Sequence, residues 1–284
     1  MQFLTPTVHH HFDSIHSTNT ALIDAIADGM HPHTAPCLYT ASHQSAGRGQ
    51  HGRTWVSGAD NVFLTLYVPI GQDDFNLHQL SGLLSLAVGY QIAQLKIIEN
   101  INQVRTKNNL PLIGVKWAND VGFYDDGLGV FKKLAGILIE PVFKKLNDKN
   151  TLVGVVIGVG LNVNSSPVIT DGLYQATCLK ELNDHLTLSA KDLYIPMTNA
   201  IFQAVQACNR CTEPMYLQHF VDEFNACHLL TNQDIQIFMQ NNMNDIHAQG
   251  KCIGIGNQGE LLLNDDGDIK PMFAGMAKIK PNTH

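Results

Sequence analysis

"SAGRGQHGRTW", residues 45–55, places three glycines, two arginines and a histidine in eleven positions and closes on a tryptophan, in a chain whose net charge is −7. From Gly47 the order Gly-x4-Gly-Arg-Thr departs from a phosphate-binding P-loop only in having Arg53 where that motif has lysine. The flanks decide between folds. A P-loop lies between a strand and a helix whose N-terminus receives the phosphate. Here "CLYTAS" (37–42) precedes the stretch, and "NVFLTLYVPI" (61–70) follows with the β-branched and aromatic content of a buried strand. The loop therefore joins two strands, which excludes the P-loop. Two readings of the loop are left. One is a solvated turn; the other is an anion-binding loop whose glycines let backbone N–H groups approach a phosphate that Arg48 and Arg53 neutralise. "GVVIGVGLN" (154–162) raises the question of a dinucleotide fingerprint, which is rejected because the third glycine is replaced and no helix pattern follows.

Outward from the loop, "STNTALIDAIADG" (17–29) reads as a capped helix, with Ser17, Thr18 or Asn19 as N-cap and Gly29 beyond the C-terminus. On the other side Leu80, Leu83, Leu84, Ala87, Val88, Ile92 and Leu95 recur at helical spacing, predicting a core-facing helix over 78–95. Gln79, Ser81, Ser85 and Gln91 interrupt that run and argue against a membrane span. Four strand-like runs follow: "IGVKW" (113–117), "VGFY" (121–124), "KLAGILIE" (133–140) and "TLVGVVIGVGLNV" (151–163). Polar stretches at 99–109 and 144–150 are expected to separate the first and last of these from their neighbours. Helices are predicted over 189–209 and 213–226, then short β runs with turns at "GNQGE" (256–260) and "DDGD" (265–268). The expected organisation is an α+β domain over 1–230 followed by a small all-β domain over 231–284.

The 284 residues are 44% hydrophobic and 15% charged, ordinary for a globular chain of one large domain or one plus a small one. An acidic balance without a dense Lys/Arg cluster argues against duplex nucleic acid as partner. Six scattered cysteines indicate reduced thiols, and the first 19 residues carry no export signal, so the expected location is cytoplasmic, with no membrane partner.

"STN" (17–19), "QSAGRGQHGRTW" (44–55), "VKWAND" (115–120), "KLAGILIE" (133–140) and "IGVGLNVN" (157–164) resemble, in order, the motif set of biotin protein ligases, and "NQGELLLNDDGDIKPMFAG" (257–275) resembles the small barrel that ends the bacterial members. This chain has Gln50 where the family's loop has a second arginine, and Ala118 where its lysine motif has proline. The resemblance implies a catalytic domain like that of class II aminoacyl-tRNA synthetases, with mixed sheet and helices, followed by an SH3-like β-barrel. It implies ATP and biotin as substrates with Mg2+, formation of biotinyl-AMP, and transfer of biotin to a lysine of the biotin carboxyl carrier protein of acetyl-CoA carboxylase. Carried over by motif, Lys116, Arg48 and Asp120 are catalytic. Ser17, Thr18, Asn19, Gln44, Gly47, Arg48, Gly49, Gln50 and Lys116 hold biotin. Arg48, Gly52, Arg53, Trp55, Asn119 and Asn162 form the ATP side. For Asp120, orienting Lys116, helping magnesium and assisting the incoming lysine stay open, as does a homodimer. Some bacterial members also repress transcription through an N-terminal helix-turn-helix domain; sixteen residues before Ser17 are too few for one, so a ligase without DNA binding is expected.

Each residue also has a structural reading. Ser17 and Thr18 serve as helix caps, Trp55 and Trp117 as core residues, and Lys116 as an exposed strand residue; for Trp117 the core reading is kept. Cys208-x-x-Cys211 with Cys227-His228 suggests zinc, but Ile201, Ala204, Val205 and Cys208 continue one apolar stripe, so buried thiols and no metal are expected. His9, His10 and His11 would alternate faces on a strand and make a poor ligand set, so a solvated segment is expected there. The alternatives to a biotin ligase are a lipoate ligase and a non-catalytic biotin-binding protein; "GRGQHGRTW", "KLAGI" and the retained Lys116 weigh against them.

Overall fold

The computed structural model describes residues 6, 8–70, 82–169, 174–239 and 242–280, with the side chains of His51 and 242–244 outside that description. Strands β1 (Val8–Phe12), β2 (Cys37–Ala41), β3 (Val62–Pro69), β4 (Gly114–Lys116), β5 (Asp120–Asp125), β6 (Val130–Leu146), β7 (Lys149–Leu161) and β8 (Gln175–Ala176) form one mixed sheet. Their order is β1-β2-β3-β7-β6-β5-β4, with β8 beside β6. The β1–β2 and β6–β8 pairs are parallel and the other pairs antiparallel.

Alternation along β7 assigns its two faces. Val155, Ile157, Val159 and Leu161 enter the core shared with α2 (Leu83–Ala93), α5 (Tyr194–Arg210) and α6 (Pro214–Cys227), whereas Val156 packs on Leu22, Ala25 and Ile26 of α1 (Thr18–Ala27). Ser17 caps α1 by accepting a hydrogen bond from Thr20 N (3.4 Å), and Gly29 at φ +80° lies just past its end. Leu22 and Ile26 are wholly buried, each contributing about 1.5–3 kcal/mol to the fold.

One expectation changes, and two take a definite form. The stretch 99–109 is not a polar connection but most of α3 (Lys96–Lys107), whose buried stripe is only Ile98, Ile101 and Arg105. Arg105 fills its place in that stripe by laying its guanidinium 4.0 Å from the Phe123 ring centroid, so the sequence looks polar while one face is covered. The stretch 144–150 is the tip of the long β6–β7 hairpin, where Asn147 and Asp148 take φ +48° and +61°. Residues 9–11, expected as a solvated segment, are exposed on the edge strand β1. Of the helix predicted over 78–95, Leu80 lies outside the described residues and Leu95 belongs to the turn that opens α3.

A second, antiparallel sheet of β9 (Asp234–Met239), β10 (Asn242–Ile255), β11 (Leu261–Asp265), β12 (Asp268–Met272) and β13 (Met276–Ile279) has the order β12-β11-β10-β9-β13. Its Ile235, Ile237, Cys252, Leu261 and Leu263 join the core of the large sheet without a break. No helix among the described residues is long and apolar enough to cross a membrane.

Candidate active site

A cavity of about 450 Å³ opens between the α1 side of the large sheet and the β10–β11 and β12–β13 turns of the small one. Ser17, Thr18, Asn19, Gln44, Arg48, Gly49, Gln50, Arg53, Trp55, Lys116, Asn119 and Asp120 line it. Gly47, Gly52 and Asn162 do not. Gly47 closes the base of the loop, its carbonyl accepting from Trp55 N (2.9 Å), and Gly52 turns the tip at φ +75°. Asn162, expected on the ATP side, is buried at the end of β7, donating to Thr177 O (3.0 Å) while its own amide oxygen accepts from Asn61 Nδ2 (3.4 Å).

One end of the cavity is a buried polar pocket. Gln44 Oε1 accepts from Thr18 N (2.8 Å) and Thr18 Oγ1 (3.2 Å), and the Thr65 hydroxyl lies 2.7 Å from Thr18 Oγ1 and 2.6 Å from Asn19 Oδ1. Glu140 ties this pocket to the loop: Asn19 Nδ2 donates to Oε2 (3.0 Å) and Arg48 Nη2 pairs with Oε1 (2.6 Å). Ser17, Thr18, Asn19 and Gln44 are at most 9% exposed, so their polar atoms need partners from the protein or from a polar ligand.

The other end is cationic. "KWAND" is a tight hairpin in which Lys116 and Asp120 are register partners across β4 and β5, and the Trp117–Ala118 peptide is cis. Asp120 Oδ1 is also 2.6 Å from Lys133 Nζ, and Lys133 stands over the rings of Trp55 (5.4 Å) and Tyr174 (5.0 Å). Burial drives the Lys116 ammonium below the ordinary lysine value; Asp120 opposes that, while Lys133, Arg53 and Lys278 add to it. Among the described lining residues, four cations (Arg48, Arg53, Lys116, Lys133) face two carboxylates (Asp120, Glu260). In an acidic protein this leaves one concave site with surplus positive charge, suited to a polyanion.

The glycines of the two long strands make the floor. Gly136 and Gly160 are register partners on β6 and β7, and the Trp55 indole lies across both. A Cβ at Gly160 would come 2.6 Å from Trp55 Cζ2, and one at Gly136 2.8 Å from Cζ3. Gly158, two residues back on the same face, makes room for the Asn19 amide. The glycines that looked like a dinucleotide fingerprint are thus places where side chains of the site press on bare backbone.

Sequence reasoning missed Lys133 and Glu140. Both stand in "KLAGILIE", as the polar residues at the two ends of an apolar run, but their partners Asp120 and Arg48 come from other strands and loops. Cys208 is buried on α5, Cys227 Sγ donates to Phe224 O (3.4 Å), and no group of three His, Cys, Asp or Glu among the described residues is placed to hold a metal ion.

Residues 11–162, more than half of the chain and the span that builds this cavity's large-sheet side, match the model of the biotin/lipoate A/B protein ligase family. The chain belongs to that family. It is 29% identical over 272 residues to the bifunctional ligase/repressor BirA of Salmonella typhimurium, covering 94% of this chain and 72% of the relative. It is 36% identical over 166 residues to the biotin--[acetyl-CoA-carboxylase] ligase of Mycobacterium tuberculosis, covering 58% of this chain and 52% of the relative. The biotin protein ligase of Aquifex aeolicus, solved in complex with biotin and ATP, has the same fold at a TM-score of 0.66 and 19% identity, covering 96% of this chain and 99% of that one. The biotin/lipoate ligase match ends at Asn162, whereas the likeness to BirA and to the Aquifex structure extends over the small sheet as well.

Proposed function

We propose that this protein is an ATP-dependent biotin protein ligase acting on the biotin carboxyl carrier protein of acetyl-CoA carboxylase. The observation that carries the reading is the pairing, within one cavity of a biotin/lipoate ligase, of a buried polar pocket at Thr18, Asn19 and Gln44 with the cations Lys116, Lys133 and Arg53. The pocket's amides and hydroxyls suit the ureido ring of biotin. A carboxylate oxygen of biotin attacks the α-phosphorus of ATP, the bond to the pyrophosphate oxygen breaks, and biotinyl-AMP and pyrophosphate form. Both reactants are anions, so the protein's work is to hold them in line and to offset charge as it builds on the phosphoryl oxygens. Lys116, at the cationic end of the cavity, serves the α-phosphate, with Arg48, Arg53 and Gln50 on the covering loop and Trp55 and Asn119 on the nucleotide side. In the second step the amine of a carrier lysine attacks the acyl carbon, AMP leaves, and the amine gives up a proton.

Magnesium enters as the complex with ATP. Bound in that form it would offset charge on the phosphates, and Asp120, engaged by Lys133 at 2.6 Å, acts chiefly in orienting the two lysines. The large unit, residues 1–230, is read as a catalytic domain of the class II aminoacyl-tRNA synthetase type, and 231–284 as an SH3-like barrel. All six cysteines are unpaired, in keeping with a cytoplasmic site of action. With a net charge of −7, a carrier protein rather than duplex DNA is the proposed macromolecular partner.

Biotin-dependent ATP–pyrophosphate exchange tests the reading, with lipoate as the parallel substrate. Exchange with biotin, and a fall of about 10²-fold or more in Lys116→Ala at an unchanged melting temperature, is expected. Exchange with lipoate alone would make the protein a lipoate ligase, and binding without exchange a non-catalytic biotin-binding protein.

A further inference from the structure

Lys116 stands between two neighbours that are both tied to chain beyond α6. On one side, Val115 O accepts from Leu229 N (2.8 Å), where the segment leaving α6 runs parallel to β4 and covers that edge of the large sheet. On the other side, Trp117, only 4% exposed, donates from Nε1 to Gly259 O (2.9 Å) across 142 residues of sequence. Gly259 lies in the β10–β11 turn at φ +80°, and a Cβ there would sit 2.7 Å from Leu83 N. The turn is therefore pressed against the start of α2 and cannot drift without losing that contact.

The core position expected for Trp117 is where the indole lies, but its polar edge has a second consequence. β4 ends at Lys116 and Trp117 opens the hairpin turn, so the torsions that aim the Trp117 ring are adjacent to those that aim the Lys116 side chain. A buried indole N–H needs an acceptor, and the acceptor here is a backbone carbonyl of the small sheet. We propose that Trp117 is a positioning residue, through which the C-terminal sheet holds Lys116 at its place in the cavity. The inference rests on the reading of Lys116 as the group at the α-phosphate. It makes the small sheet part of the machinery for adenylate formation.

The test replaces the N–H while keeping the ring. Trp117→Phe, the isosteric benzothienylalanine at 117 (sulfur in place of N–H), Gly259→Ala and the Trp117→Phe/Gly259→Ala double variant are compared in biotin-dependent pyrophosphate exchange, beside Lys116→Ala. Loss of the N–H is expected to lower kcat about tenfold while the KM values for biotin and ATP change less than about twofold, because what is lost is alignment in the transition state rather than substrate contact. The double variant is expected to be no slower than the slower single one, since alanine at 259 keeps the acceptor carbonyl but shifts it by pressing on Leu83 N, so both changes act on the same bond. If Trp117→Phe is unfolded at the assay temperature, the benzothienylalanine protein decides. Normal kcat in that protein, or additive losses in the double variant, overturns the proposal while a dead Lys116→Ala leaves the role of Lys116 standing. Normal exchange in Lys116→Ala removes the role of Lys116 and the proposal with it.

Discussion

Asp120 and Lys133 meet at 2.6 Å between β5 and β6, with side chains 17% and 13% exposed, and the same Asp120 is the register partner of Lys116 on β4. One largely buried carboxylate thus serves two ammonium groups that face the same cavity.

Asp120→Asn removes the one influence that raises the proton affinity of Lys116 and leaves burial, Lys133, Arg53 and Lys278, all of which lower it. The cationic form of lysine is the protonated one, so the alkaline limb of kcat/KM for pyrophosphate exchange should move to lower pH in this variant. A pH–rate profile from about pH 6 to 10 checks this; a limb that stays put or moves up would show that Asp120 does not govern the charge of Lys116.

Gly160→Ala tests the floor beneath Trp55. The backbone at 160 accepts alanine, but the new methyl group would lie 2.6 Å from Trp55 Cζ2, so the indole must move. Overpacking of this kind costs about 1–3 kcal/mol. A lower melting temperature and weaker ATP binding by calorimetry are expected together, with biotin affinity kept, since the hydrogen bonds that hold Thr18, Asn19 and Gln44 do not involve the indole. Unchanged ATP affinity would place the nucleotide away from Trp55.

Gln50 lines the cavity at the start of the short turn Gln50–Gly52. Replacing it by arginine adds a charge-assisted partner for the adenylate. A hydrogen bond to a charged group is worth about 1.5–3 kcal/mol against about 1 for a neutral one, so escape of biotinyl-AMP should slow several-fold. Enzyme loaded with labelled biotinyl-AMP and passed through rapid gel filtration gives the release rate. Equal rates for wild type and Gln50→Arg would assign retention to Arg48, Arg53 and the loop backbone.

His228 is 5% exposed, stacks near Phe224, and bonds through Nδ1 to Thr231 Oγ1 (3.0 Å), while Nε2 has no partner among the described residues. Burial, and then the charge of Lys116, push its imidazolium down to about 3. The folded state therefore holds His228 neutral, whereas the unfolded chain takes up a proton near pH 6.5, so stability is present above that value and is lost progressively as pH falls toward 3. This residue alone should remove about 2 kcal/mol between pH 7 and 5. Denaturant melts across that range should show the loss, and His228→Asn should flatten it; an equal slope in the variant would assign the acid sensitivity to other groups.

Local chemistry carried much of the architecture. The strand–loop–strand unit around 45–55, the Ser17 cap and the 231–280 run of short strands are written in periodicity and turn residues within a dozen positions of each other. Lys116 stands opposite Asp120 only once "KWAND" folds as a hairpin with a three-residue turn. Helix α3 is hidden in the sequence for an equally local reason: only Ile98, Ile101 and Arg105 of its residues are buried, and one of those three is charged.

Which distant groups meet was decided by the order of strands, which no local pattern encodes. Arg48 finds Glu140 across 92 residues and Trp117 finds Gly259 across 142, contacts that exist only once β6 lies between β5 and β7 and the small sheet has docked on α2. Asn162, the residue after β7, likewise meets Thr177 O only because the chain at 177 lies beside that strand end. Residue types and spacing therefore determined which chemistry the chain is able to perform, while the pleat of β6 and β7 and the docking of the second sheet chose which atoms perform it, since burial leaves each polar group only the partners that packing brings within about 3 Å.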